Sequence, residues 1–267
     1  MFYEIKGCTY RNVGGFVEKY LEGRPWSRKS KAIYNAVKKQ YSGGRWTDFP
    51  DPPDEDAVWA WLSRFQSEHL SDSCGLFYKT ESTSDLIGGE AQRQLDLFVK
   101  RRGIEDSGKH DWKYVRVIGE LKWSKWLPKK ILLPLASYMR NAFTAQPVRR
   151  FIHGFFLRGT ITVLWVFDRS GPYSSGEFDI HEEPGKFIGA IVGYAMRDDE
   201  ELELDTFTEL DDTGRFITIS RDETGKDDRM QLNKAPFVKQ RAVVCWGTTC
   251  FHRNCQTYRV STYYQHQ

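Results

Sequence analysis

Hydrophobic and polar residues alternate most regularly from Tyr114 to Lys125, YVRVIGELKWSK. Tyr114, Arg116, Ile118, Glu120 and Lys122 alternate with Val115, Val117, Gly119 and Leu121. That period predicts a strand with one buried face and with Glu120 and Lys122 together on the other. Upstream, apolar stripes at helical spacing predict three helices. Phe16, Val17, Tyr20 and Leu21 mark a short one. Ile33, Tyr34, Val37 and Tyr41 mark a second within Trp26 to Tyr41, with Ser30 as its cap and Gly43-Gly44 as its stop. Val58, Trp61, Leu62, Phe65 and Leu70 mark the third, Asp54 to Leu70, whose acids gather where the helix dipole favours them. Gly75 to Thr80 and Gln94 to Lys100 read as strands, with Ser82 to Gly89 as a polar loop between them. The second of these strands carries Asp96, and the turn-rich GIEDSGKHD (103–111) folds it back on the Tyr114 strand as a hairpin.

Beyond Lys125, Pro128 opens a helix to about Ala145, with Leu132, Leu135, Ala136, Met139 and Phe143 on its core face and a kink or late start expected at Pro134. Phe151 to Phe156 and Thr160 to Asp168 predict two strands around a tight turn at Leu157-Arg158-Gly159. Lys186 to Met196 predicts a helix. Arg215 to Arg221 and Asp228 to Leu232 predict a further hairpin, joined by Glu223 to Lys226. Gln240 to Phe251 reads as strand, turn at Gly247, strand, and the tail after it gives no signal. The simplest assembly that buries these stripes is α/β, a mixed central sheet with flanking helices. It divides into a helical extension (1–45), an α/β domain (46–200) and a β-rich segment (201–267).

Composition narrows this picture modestly. Aromatic residues make up 15% of the 267, too many for a disordered chain. The net charge of +3 is too small to argue for nucleic acid by itself. Basic clusters at Arg28-Lys29-Ser30-Lys31, Lys100-Arg101-Arg102, Lys129-Lys130 and Arg149-Arg150 would attract phosphate if they converged on one groove. Seven acids in the thirteen residues from Glu200 to Asp212 predict a solvated surface. Cys245, Cys250 and Cys255 are spaced too widely for a paired zinc knuckle, although His252 lies between them. Five cysteines, no secretory leader and no apolar stretch of membrane length predict an intracellular protein of nucleus or cytoplasm.

The candidate chemistry lies in Glu120 and Lys122. Two residues apart on a strand, they project to one side about 7 Å apart. A carboxylate there can help hold Mg²⁺, and a lysine can steady an attacking water or the charge developing on phosphate. Asp96, on the partner strand, supplies the second carboxylate. Asp96, Glu120 and Lys122 therefore form a candidate catalytic site, with Asp96 and Glu120 as metal ligands and DNA or RNA as the partner. The plainer reading is a structural ion-pair cluster in a regulatory or protein-binding module. Glu68 or Glu81 could add a carboxylate, and Gln146 and Arg149 could reach phosphate. As plainer roles, Gln146 caps a turn and Arg149 is a surface charge. His153, Trp165 and Trp123 read as core, and Asp168 with Arg169 as a turn-stabilising pair.

Residues 45–252 resemble the fungal-type protein kinase family, in the region ahead of its kinase lobes. The likeness lies in RQLDLFV (93–99), VIGELK (117–122), FTAQPVRRFIHGFFLRGTITVLWVFDRSG (143–171), EFDI, RFITISR and RAVVCWGTTCF (241–251). It is similar also to Crinkler-type effectors. The resemblance implies a restriction-endonuclease-like PD-(D/E)xK core in which Asp96, Glu120 and Lys122 are the D…ExK residues. It further implies that RAVVCWGTTCF corresponds to the start of a kinase N-lobe. The glutamine usual near the start of the following helix is replaced by Pro134. No lysine strand, His-Arg-Asp loop or Asp-Phe-Gly follows. His252-Arg253-Asn254 echoes such a loop without its downstream partners. The expectation is therefore a truncated or fragmentary chain without kinase activity of its own, with an ATP-binding protein kinase as the alternative that the family resemblance implies.

Overall fold

The computed structural model describes residues 2–104, 108–122, 128–202, 204, 208–212, 214–220, 227–232, 242–245, 248–252 and 257–261. Trp123, the Glu223 to Lys226 turn, Gly247, Arg253, Asn254 and Cys255 lie outside them.

The chain begins with three helices, α1 (Phe2–Ile5), α2 (Phe16–Tyr20) and α3 (Ser27–Val37). A small hairpin of β1 (Tyr41–Ser42) and β2 (Arg45–Trp46) leads to α4 (Glu55–His69). Asp54 caps α4 by accepting from the Ala57 N–H at 2.8 Å. Ser30, expected to cap α3, lies inside that helix instead, buried, with its N–H on the Trp26 carbonyl. Next come β3 (Gly75–Tyr78), β4 (Leu86–Ile87), β5 (Leu97–Arg101), β6 (His110–Asp111) and β7 (Val115–Lys122). The loop expected at Ser82 to Gly89 contains β4, which pairs in parallel with β6. Helix α5 (Pro128–Ala145) runs through Pro134. It is followed by β8 (Phe151–Arg158), β9 (Ile161–Asp168), β10 (Gly171–Asp179) and α6 (Pro184–Met196).

One six-stranded mixed sheet, ordered β10-β9-β8-β7-β5-β3, organises these elements. β7 and β8 are parallel, and α5 crosses between them; the other neighbours are antiparallel. Side chains alternate between two cores. Val117, Leu121, Leu164 and Val166 pack with α3, α4 and α6, while Ile118, Val163, Trp165 and Phe167 pack with α5. Every residue from Val115 to Leu121 is buried. The expectation of a single buried face on this strand is therefore corrected, because helices cover both sides of the sheet.

Strict alternation also breaks within β7. Val117 pairs with Val99 but Val115 pairs with Lys100, so Arg116 is an extra residue in a bulge. Val115 accordingly packs on the α5 side with Ile118, whereas Val117 packs on the other. Toward the C-terminus, β11 (Glu209–Asp211), β12 (Gly214–Ser220) and β13 (Asp227–Leu232) form an antiparallel sheet, as do β14 (Thr248–His252) and β15 (Thr257–Ser261). The acidic run thus contributes strand β11, and the tail contributes β15. Ala242 to Cys245, expected as a strand, are not one.

Candidate functional site

Asp96 directly precedes β5, and its position is fixed from both sides. Leu95 is clamped by Thr80, whose hydroxyl accepts from the Leu95 N–H at 2.7 Å and whose N–H donates to the Leu95 carbonyl. Leu97 then pairs with Gly119 of β7. A Cβ at Gly119 would fall 2.5 Å from Phe155 Cζ, so only glycine lets these strands and that ring pack together. Past the last ladder pair, Asp96 Oδ2 accepts the Leu121 N–H at 2.9 Å.

Glu120 and Lys122 then close on Asp96. The Lys122 ammonium lies 2.8 Å from Asp96 Oδ2, 3.0 Å from Glu120 Oε1 and 3.6 Å from Glu55 Oε1. It also donates to the Leu121 carbonyl at 2.7 Å. Glu120 is 2% exposed, and its second oxygen, Oε2, is buried without a hydrogen-bond partner. Burial and the Asp96 charge push the Glu120 carboxyl up to about 7, against the pull of Lys122. Lys122 is held above the ordinary lysine range: burial opposes its charge, but Glu120 and Asp96 outweigh that cost. The Tyr138 hydroxyl on α5 is raised by burial and by the nearby Glu120 and Asp96 charges.

The structure thus brings Asp96, Glu120 and Lys122 together and adds Glu55. Glu55 stands in the first turn of α4 and is raised by burial and by Asp96. The acids at the start of that helix were the available sequence signal. Glu68 instead pairs with His69, and Glu81 with Lys79. Tyr138 carried no signal beyond its place on the α5 face.

The other candidates sort differently. Gln146 donates to the Trp112 and Val115 carbonyls. Arg149 is not a surface charge: it is buried and donates to the carbonyls of Val115, Arg116 and Phe151 and to Gln146 Oε1. His153 and Trp165 are core residues. Asp168 caps its turn through the Ser170 and Gly171 N–H groups, and Arg169 lies over the Phe143 ring. Among the described residues, no group of three or more His, Cys, Asp or Glu side chains converges to hold a metal ion. No described helix is long and apolar enough to cross a membrane.

The span that holds Asp96, Glu120 and Lys122 is also the span with a family match. The fungal protein kinase family model matches residues 94–264. The chain belongs to that family. No curated protein and no solved structure matches it. In this fungal protein kinase family member, the match begins two residues before Asp96 and runs through β5, β7, α5 and the C-terminal strands.

Proposed function

We propose that the chain carries a restriction-endonuclease-like core and hydrolyses phosphodiester bonds of DNA or RNA with Mg²⁺. The observation that carries this reading is Glu120 Oε2, a buried carboxylate oxygen without a partner beside Asp96. Such an atom costs free energy unless a donor or a cation meets it. The order α4, β3, β5, β7, α5, β8 supports the same reading, because β7, the second strand of the Asp96 hairpin, continues through a helix into a parallel neighbour.

Asp96 and Glu120 would hold the Mg²⁺, while Glu55 reaches Lys122 and not a shared metal position. Bound there, the ion would polarise the phosphoryl group and acidify a water. Lys122, kept as an ammonium, does not act as the base. It donates to the attacking water or to a phosphoryl oxygen and offsets the charge that builds there. The same sequence lacks Asp-Phe-Gly and His-Arg-Asp, so phosphoryl transfer from ATP is not assigned to this chain.

A second reading has its own support. Lys122 already pairs with three carboxylates, as an ion-pair cluster in a regulatory or protein-binding module would. Plasmid DNA and RNA incubated with the protein and Mg²⁺ or Mn²⁺ separate the two. Metal-dependent cleavage that falls by roughly 100-fold or more in Asp96→Ala and Lys122→Ala is expected for the nuclease. Cleavage that is absent, or equal in the variants, leaves the module.

A further inference from the structure

At the far end of β7 from Lys122, a cleft of about 660 Å³ is lined by Ser73, Cys74, Arg101, Arg102, Arg116 and Asp199, among others. That volume suits a small organic ligand rather than a bare ion. Arg116 reaches the cleft because the bulge turns it away from the α5 side, toward the segment that follows α6. Its side chain is 2% exposed, yet Nε and Nη1 have no hydrogen-bond partner. Nη2 donates to the Arg197 carbonyl at 3.0 Å and to Asp199 Oδ1 at 2.8 Å. Burial holds this guanidinium below its ordinary range, and Asp199 partly offsets that.

Asp199 is the counter-ion of the cleft. Its other oxygen, Oδ2, lies 3.0 Å from Arg101 Nη1, so one carboxylate bridges two arginines. Arg102 is pinned beside them by the Ser73 and Leu70 carbonyls. A carboxylate has two oxygens, and both are used, while two Arg116 nitrogens stay unmet. A phosphate offers more oxygens in a tetrahedral array and can serve more of a guanidinium fork. Asp198 and Glu200 are exposed, and Asp198 Oδ1 is engaged by the Glu201 N–H, so their repulsion is screened by solvent.

We propose that this cleft binds a small phosphate-bearing molecule, whose phosphate displaces Asp199 from Arg116 and Arg101. The site is separate from Asp96, Glu120 and Lys122 and stands whether or not those residues cleave nucleic acid.

Cys74 is an exposed free thiol in the cleft wall and serves as the reporter, with Cys8 and Cys245 as internal controls. Its alkylation by iodoacetamide is followed by peptide mass spectrometry with AMP, inorganic phosphate, adenosine, or sodium chloride at matched ionic strength. AMP is expected to slow Cys74 roughly tenfold once it is an order of magnitude above its Kd, without changing Cys8 or Cys245. Inorganic phosphate should protect at higher concentration. Asp199→Asn should tighten AMP several-fold by removing the competing anion, and Arg101→Ala should weaken it. A purely structural Arg116–Asp199 pair would not tighten AMP in this way. Protection by adenosine or chloride equal to that by AMP overturns the proposal. So does the absence of protection by both AMP and phosphate, or an Asp199→Asn variant that binds AMP no better.

Discussion

At one end of β7, Arg116 and Arg149 are buried among backbone carbonyls, with Asp199 as the acid in direct contact. At the other end, Glu120 is buried against the ammonium of Lys122, with Asp96 and Glu55 around it. The first end meets its charge with carbonyl dipoles and the Asp199 carboxylate, the second with one ammonium. The Arg149 guanidinium spreads its donors over three carbonyls and Gln146 Oε1, whereas Arg116 keeps two bare nitrogens and Glu120 a bare oxygen. At the basic end, Arg149 is therefore knitted into the fold. The acidic end depends on a single side chain and on the protonation state of Glu120.

The sharpest way to break this comparison is Arg149→Met. It strips a shared donor from the Val115, Arg116 and Phe151 carbonyls and should cost about 4 kcal/mol in urea unfolding. A loss under about 1 kcal/mol would mean that water or Gln146 replaces it. Lys122→Met should come next, at about 3 kcal/mol at pH 8, because it leaves Asp96 and Glu120 without their cation. Much of that loss should return by pH 5, as Glu120 takes a proton. A pH-independent loss would point to packing instead.

Glu120→Gln should act in the opposite direction. The folded carboxyl sits near 7 and the unfolded one near 4.5. The fold therefore prefers the protonated form, and its contribution is full below about 4.5 and lost as pH rises through about 7. The glutamine variant should be more stable than wild type by about 2 kcal/mol at pH 8 and equal to it at pH 4, while losing any metal-dependent cleavage. Equal stability at both pH values would refute the burial effect. The smallest expected effect is at His153, which registers with Val117 toward the basic end and is held well below its ordinary range by burial and then by Arg197 and Arg149. A depressed histidine costs stability as pH falls below its unfolded value of about 6.5. His153→Phe should recover about 1.4 kcal/mol at pH 5.5 and nothing at pH 8. Circular-dichroism melts across that range check both signs.

Much of the central sheet was legible in the sequence. β5, β7, β8, β9 and α5 announce themselves through alternation, glycine turns and an opening proline, and the same pattern brings Asp96 to Glu120 and Lys122. What escaped depends on distant contacts. Arg116 sits between two valines with no local mark of a bulge, so strict alternation assigned it to the wrong face. Arg149 looks like a surface residue beside Arg150, and only the carbonyls of a strand more than thirty residues earlier make it a core residue. Glu55 belongs to a helix that precedes the whole hairpin, and spacing along the chain does not choose it over Glu68 or Glu81.

The single inserted residue in β7 has one more effect. Counted back from Lys122 in plain alternation, Arg116 would share a side with Glu120, roughly 13 Å along the same ribbon. The inserted residue works as a phase slip and puts the Arg116 guanidinium on the opposite side of the sheet from Ile118 and Glu120. Deletion of one residue at this point would move the guanidinium through the wall, onto the side of the carboxylates.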